Sequence, residues 1–176
     1  NTAYRAVSEL IALGHRRIAA LVAATDDRSI SELRCRGYLS ALRDHGIEPD
    51  PALVACTGSF GMEDAYRATR ALCAAGADFT AMFIIADAMA IAAIKALEDT
   101  GRDVPRDCSV IAVDGLALSQ YTRPTLTTMC QPSDRMGEES VRILLDMIER
   151  RAGNRSLVLE STLRAGASVA PPDSRR

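Results

Sequence analysis

Five residues carry side chains that together suit the grip of a small molecule: Arg34, Phe60, Asp87, Asp114 and Gln131. A guanidinium donates a planar fork, carboxylates accept from hydroxyl or N–H groups, and a primary amide does both. Phe60, in the stretch TGSFG, offers a flat apolar face for a ring. The set fits a neutral polyhydroxylated or heterocyclic ligand. It does not fit hydrolysis, because no serine sits in a GxSxG elbow and no His–Cys or His–Ser pair is indicated. Asp87 and Asp114 have the chemistry of an acid/base pair, but nothing else marks a scissile bond, so no catalysis is expected. The GSFG echo of a phosphate loop lacks the GK[ST] ending. Each residue also has a purely structural reading: Asp87 as a helix cap, Arg34 as a surface ion-pair partner, Phe60 tucked under the core, Gln131 bonded to backbone. Asp114 resists that reading best, because it directly follows the buried run Val110 to Val113.

These residues need a frame that brings them to one place. Apolar runs alternate with amphipathic ones. RIAALVAA, ALVAC, AMFIIA and SVIAV read as strands. Between them lie SELRCRGYLSALRDHG, a helix starting near Ser31 and closed by Gly46, and MEDAYRATRALCAAG, closed by Gly76. DAMAIAAIKALEDTG reads as a helix with Asp87 as N-cap and Gly101 as stop. A helical stripe precedes the first strand, with Ala3, Val7, Leu10 and Ile11 on one face. His15 marks only the turn into that strand. Alternation with short loops predicts an α/β fold: a Rossmann-like parallel sheet with helices on both faces. In such a sheet, ligands bind beyond the carboxyl ends of the strands, and all five residues fall there. Further on, Leu126 to Met129 is β-prone, RMGEESVRILLDMIERRAG is a long amphipathic helix, and Leu157 to Leu159 and Ser161 to Arg164 are β-prone again.

The 176 residues suffice for one domain with a real core, and a net charge of −2 marks no nucleic-acid surface. No apolar run is long enough to span a membrane. The five cysteines are widely spaced, form no CxxC, and are expected as buried reduced thiols, which makes the reducing cytoplasm the expected compartment. With two histidines no metal site is expected, and no cofactor. The first residue is Asn, not Met, so the sequence is expected to start inside a longer chain.

The stretches ALGHRRIAAL, SELRCRGYLSAL, AMFIIADAMAIAAIKAL, DVPRDCSVIAVDG and YTRPTLTTMCQP, in this order, resemble the LacI/GalR family of bacterial transcriptional repressors. The likeness runs from about Asn1 to Ser168. It implies the C-terminal subdomain of a periplasmic binding protein-like (type I) core, in which two Rossmann-like subdomains flank an effector cleft. On that likeness residues 1–14 are a helix belonging to the N-terminal subdomain, and 15–130 the C-terminal effector-binding subdomain. Residues 131–155 are the crossover and the helix returning to the N-terminal subdomain, 156–170 terminal strands, and 171–176 a flexible tail. The helices at 1–14 and 134–151 would then lack their usual sheet. An isolated chain is expected to be unstable or to associate, which a cooperative monomeric melt would contradict.

By the resemblance Arg34 grips the effector, Phe60 packs on it, and Asp114 and Gln131 line the cleft. Ala86 stands where the family usually has Asn, Gly115 where a second loop carboxylate is common, and Gly166 where a basic residue is usual. The implied partners are a small-molecule effector (sugar, polyol or nucleobase), a second copy in a homodimer, and operator DNA met through an N-terminal helix-turn-helix missing from this sequence. The alternative is a periplasmic sugar-binding protein of a transporter, which would share the core.

Overall fold

The computed structural model describes residues 2–24, 29–149, 153 and 155–173. Helix α1 (Thr2–Ala12) leads into strand β1 (Ile18–Ala23), followed by α2 (Ile30–Asp44), β2 (Val54–Thr57) and α3 (Met62–Ala74). Then come β3 (Ala81–Ile84), α4 (Asp87–Asp99), β4 (Ser109–Asp114), β5 (Thr127–Cys130), α5 (Ser133–Ile148) and β6 (Thr162–Arg164). Short 3-10 turns at Pro51–Leu53 and Ala117–Gln120 precede β2 and β5. The strands form one sheet in the order β2-β1-β3-β4-β5-β6, parallel except for antiparallel β6. The expected α/β architecture is therefore present, with one antiparallel edge added.

The chain moves left from β1 to β2 and right from β2 through β3 to β4. Right-handed crossovers then put α2 on one face and α3 and α4 on the other. Packing agrees: α1 lies against α2, and α3 against α4. Every residue of β1 and β3 is buried, as their unbroken apolar runs require of strands covered on both faces. Tyr38 of α2 stacks on Phe83 of β3 at 6.3 Å and donates its hydroxyl to the Ile18 carbonyl at 2.8 Å. That bond lets a phenol sit in the core.

Several expectations change. Helix α1 does not face a missing subdomain: Ala3, Ala6, Val7, Leu10 and Ile11 are buried against α2 and the sheet of this chain. An amphipathic stripe shows that a face is buried, but not which sheet covers it. The contrast with α5 is sharp. No residue of α5 is buried, and Val141, Leu144, Leu145 and Ile148 stand exposed. Helix α2 is capped by Ser29, which accepts from the Glu32 amide, while Ser31 is buried and bonded to Ala23. Leu157 to Leu159 forms no strand, and Val158 is 88% exposed. Of the terminal strands only β6 exists among the described residues. The cysteines are free, but only Cys108 is buried, and Cys56 is exposed. Of the tail expected at 171–176, residues 171–173 are described and Pro172 packs near Gly14; the rest of it lies outside the described residues, as do residues 150–152 and 154 of the expected 131–155 segment.

His15 does more than mark a turn. It is buried, with Nδ1 at 2.9 Å from the Thr80 hydroxyl and Nε2 at 2.9 Å from the Ala170 carbonyl. Only a protonated Nε2 can donate to that carbonyl, so neutral His15 accepts from Thr80 at Nδ1. Burial lowers its pKa below the ordinary 6.5, and the Ala170 carbonyl only partly opposes this. The unfolded chain thus takes up the proton first as pH falls. Stability from this group is present above about pH 6.5 and is lost below it. Melting temperature should therefore drop from pH 7 to pH 5, and His15→Gln should flatten that slope. Equal slopes in both proteins would refute the assignment.

Candidate ligand-binding site

The carboxyl ends of the parallel strands all open on one edge, with the strand order reversing between β2 and β3 around β1. Arg34 lies in the second turn of α2, with its side chain only 10% exposed. Its Nη1 donates to the Ile85 carbonyl just beyond β3, and its Nη2 donates to Asp114 Oδ1 at 3.1 Å. Gln131, directly after β5, donates from Nε2 to the same Oδ1 at 2.8 Å. Adjacent strands make this possible, because Asp114 and Cys130 are paired in register. Two side chains from separate parts of the chain thus converge on one carboxylate oxygen. Among the described residues Asp114 Oδ2 makes no hydrogen bond, and the side chain is 25% exposed. This leaves a free acceptor on a partly exposed, fixed carboxylate.

Asp114 is also the one described non-glycine residue with a left-handed backbone, at φ 136°, and Gly115 follows at 82°. Such a conformation costs on the order of 1–3 kcal/mol and persists only where the surroundings impose it. Phe60 is placed on the same edge but in a different part of it. Its loop after β2 is pinned by Thr57, which donates to the Val22 and Ser59 carbonyls, and by Ser59, which donates to Asp64. The ring is 41% exposed. Four strand spacings separate β2 from β5, roughly 19 Å at about 4.8 Å each. Arg34, Asp114 and Gln131 form one bonded group; Phe60 stands at the far end of the edge.

Asp87 is corrected on both counts. It does not cap α4, whose N-cap is extended Ala86. Nor does it present a carboxylate to the rim, because it is fully buried. Its Oδ2 accepts the amides of Gly115 at 3.1 Å and Leu116 at 2.7 Å, and its Oδ1 accepts the Thr128 hydroxyl at 2.5 Å. Burial pushes its pKa up, against the opposing pull of Thr128 and the Leu116 amide. The residue supports the site from beneath.

Arg164 is the participant that sequence reasoning missed. From β6 it donates to the carbonyls of Gly115 at 3.3 Å and Leu116 at 2.9 Å, and to the Ser119 hydroxyl. A cation at the end of a short β-prone run, two residues before Gly166, was the available signal. Gly166 itself has no room for any side chain: a Cβ there would lie 2.4 Å from the Thr125 carbonyl oxygen. Among the described residues no group of three His, Cys, Asp or Glu side chains is arranged to hold a metal ion, and no helix is long and apolar enough to cross a membrane.

Comparison with known proteins agrees with this fold. Residues 7–169 match the periplasmic binding protein-like domain family. The HTH-type transcriptional regulator MalR of Clostridium butyricum is 36% identical over 162 residues, 92% of this chain and 48% of its own length. A transcriptional regulator CelR–cellobiose complex superposes with a TM-score of 0.88 at 34% identity, covering 95% of this chain and 51% of that one. A LacI family transcriptional regulator from Enterococcus faecium with bound ribose gives 0.87 at 29% identity, covering 96% and 62%. The chain spans about half the length of the curated relatives it matches. It belongs to the periplasmic binding protein-like domain family, in the form carried by LacI-family transcriptional regulators.

Proposed function

We propose that the chain is the effector-sensing lobe of a LacI-type transcriptional regulator and binds a sugar, polyol or nucleobase at its carboxyl edge. The observation that carries this is the Asp114 carboxylate, fixed on one oxygen by Arg34 and Gln131 and open on the other. Phe60 would cover an apolar face of a ligand long enough to reach it. Similar regulators solved in complex with cellobiose and with ribose support a polyhydroxylated ligand. The regulator would act in the cytoplasm as a homodimer that meets operator DNA through an N-terminal helix-turn-helix outside this sequence. Bound effector would favour one orientation of the two lobes, and only unequal affinity for the two orientations can move the DNA-binding heads. No catalytic step and no cofactor enters.

The test is a thermal-shift screen of the full-length protein against cellobiose, ribose, other sugars, polyols and purines. A ligand at 100 times its Kd adds about 2.7 kcal/mol to native-state stability. At least one compound should raise the melting temperature of the wild type and fail to raise that of Arg34→Ala. A panel without any shift would overturn the reading.

A further inference from the structure

The turn that carries Asp114 is held at four points by two charged residues far apart in sequence. Asp87 accepts the amides of Gly115 and Leu116, and Arg164 donates to the carbonyls of the same two residues. Bonds of this kind, with one ionised partner, are roughly twice as strong as neutral ones. Thr128 joins the two halves. Its hydroxyl donates to Asp87, and its backbone pairs with Arg164 across β5 and β6. Among the described residues, neither Asp87 nor Arg164 bonds to the Asp114, Arg34 or Gln131 side chains. Their hydrogen bonds reach the Asp114 carboxylate through the backbone, at the one described non-glycine residue with positive φ. A strained residue stays strained when its neighbours over-determine it, and four charge-assisted bonds on two successive residues, spread over three peptide groups, do that.

We infer that Asp87 and Arg164 are positioning residues that clamp the Gly115–Leu116 turn and so aim the Asp114 carboxylate at the ligand. The inference rests on the ligand-binding reading of Asp114. It also ties that carboxylate to β6, the strand on which the chain returns after α5. Arg34 and Gln131 then fix the side chain, while Asp87 and Arg164 fix the backbone from which it springs.

The test uses the full-length protein and two readouts. The first needs no ligand: amide exchange at Gly115 and Leu116 in wild type, Asp87→Asn, Arg164→Gln and Arg164→Lys. Exchange at Leu116 and Gly115 should accelerate at least tenfold in Asp87→Asn and Arg164→Gln, less in Arg164→Lys, while Val110 to Val113 keep their protection. The second is calorimetric affinity for cellobiose and for ribose. For whichever sugar the wild type binds, Kd should rise at least tenfold in Asp87→Asn and Arg164→Gln, with Arg164→Lys recovering part. Unchanged exchange in both Asp87→Asn and Arg164→Gln overturns the clamp, whatever the sugars do. Faster exchange with wild-type affinity overturns the positioning role. A wild type that binds neither sugar speaks against the sugar reading, and the exchange data still decide the clamp.

Discussion

Full-length protein carrying Asp114→Ala is expected to hold its operator as tightly as the wild type and to ignore its effector. The substitution removes the outward-facing acceptor and the anion that both Arg34 and Gln131 bond. A hydrogen bond to a charged group contributes about 1.5–3 kcal/mol, so losing one at the open oxygen would weaken binding roughly 10- to 100-fold. The guanidinium of Arg34, nearly buried, would also lose its counter-ion and keep only the Ile85 carbonyl. A cation left so in a site costs more than the bond it made. Asp114→Asn separates the two effects: it keeps the shape and removes the charge, and should fall between alanine and wild type. Fluorescence anisotropy with an operator duplex, titrated with effector, reads both quantities at once. Release of DNA by Asp114→Ala at the wild-type effector concentration would end the assignment.

Much of this site was legible because parallel sheets announce themselves. The apolar runs of β1, β3 and β4 are continuous, so the polar residue ending each one stands out. Asp114 was found that way, and Gln131 as the polar residue after the β-prone run Leu126 to Met129; the two do meet. What stayed hidden depends on direction and distance rather than on type. An aspartate opening a helix reads as a cap, yet Asp87 turns inward because the Gly115 and Leu116 amides and the Thr128 hydroxyl offer it better partners. Arg164 acts on residues 48 and 49 positions away, a separation no local pattern reports. Leu157 to Leu159 has strand-forming residues but no partner strand, and β-propensity without a neighbouring edge yields no strand. The stripe on α1 was read correctly as a buried face and assigned to the wrong sheet.

Putting a second carboxylate into the loop, by Gly115→Asp, is expected to destabilise the protein instead of enriching the site. Two costs act together. The backbone at Gly115 has φ 82°, where a side chain costs on the order of 1–3 kcal/mol. A Cβ there would also lie 2.7 Å from Cα, Cβ and Sγ of Cys130. Overpacking of this kind costs typically about 1–3 kcal/mol, and here part of the obstacle is backbone. Cys130 cannot retreat freely, because β5 is fixed by its pairing with β4 on one side and β6 on the other. The sum is roughly 2–6 kcal/mol, and at about 2–4 °C per kcal/mol for a chain of this size the melting temperature should fall by on the order of 10 °C. Gly115→Ala should show most of that loss, since the first carbon already meets the strand. Cys130→Ala should return only part of it, because removing Sγ leaves Cα and Cβ in place. A Gly115→Asp protein that melts within a degree of wild type would show that the turn yields. A rigid turn would confine this loop to a single carboxylate, and on the proposed reading a ligand would meet Asp114 there without a neighbouring acid.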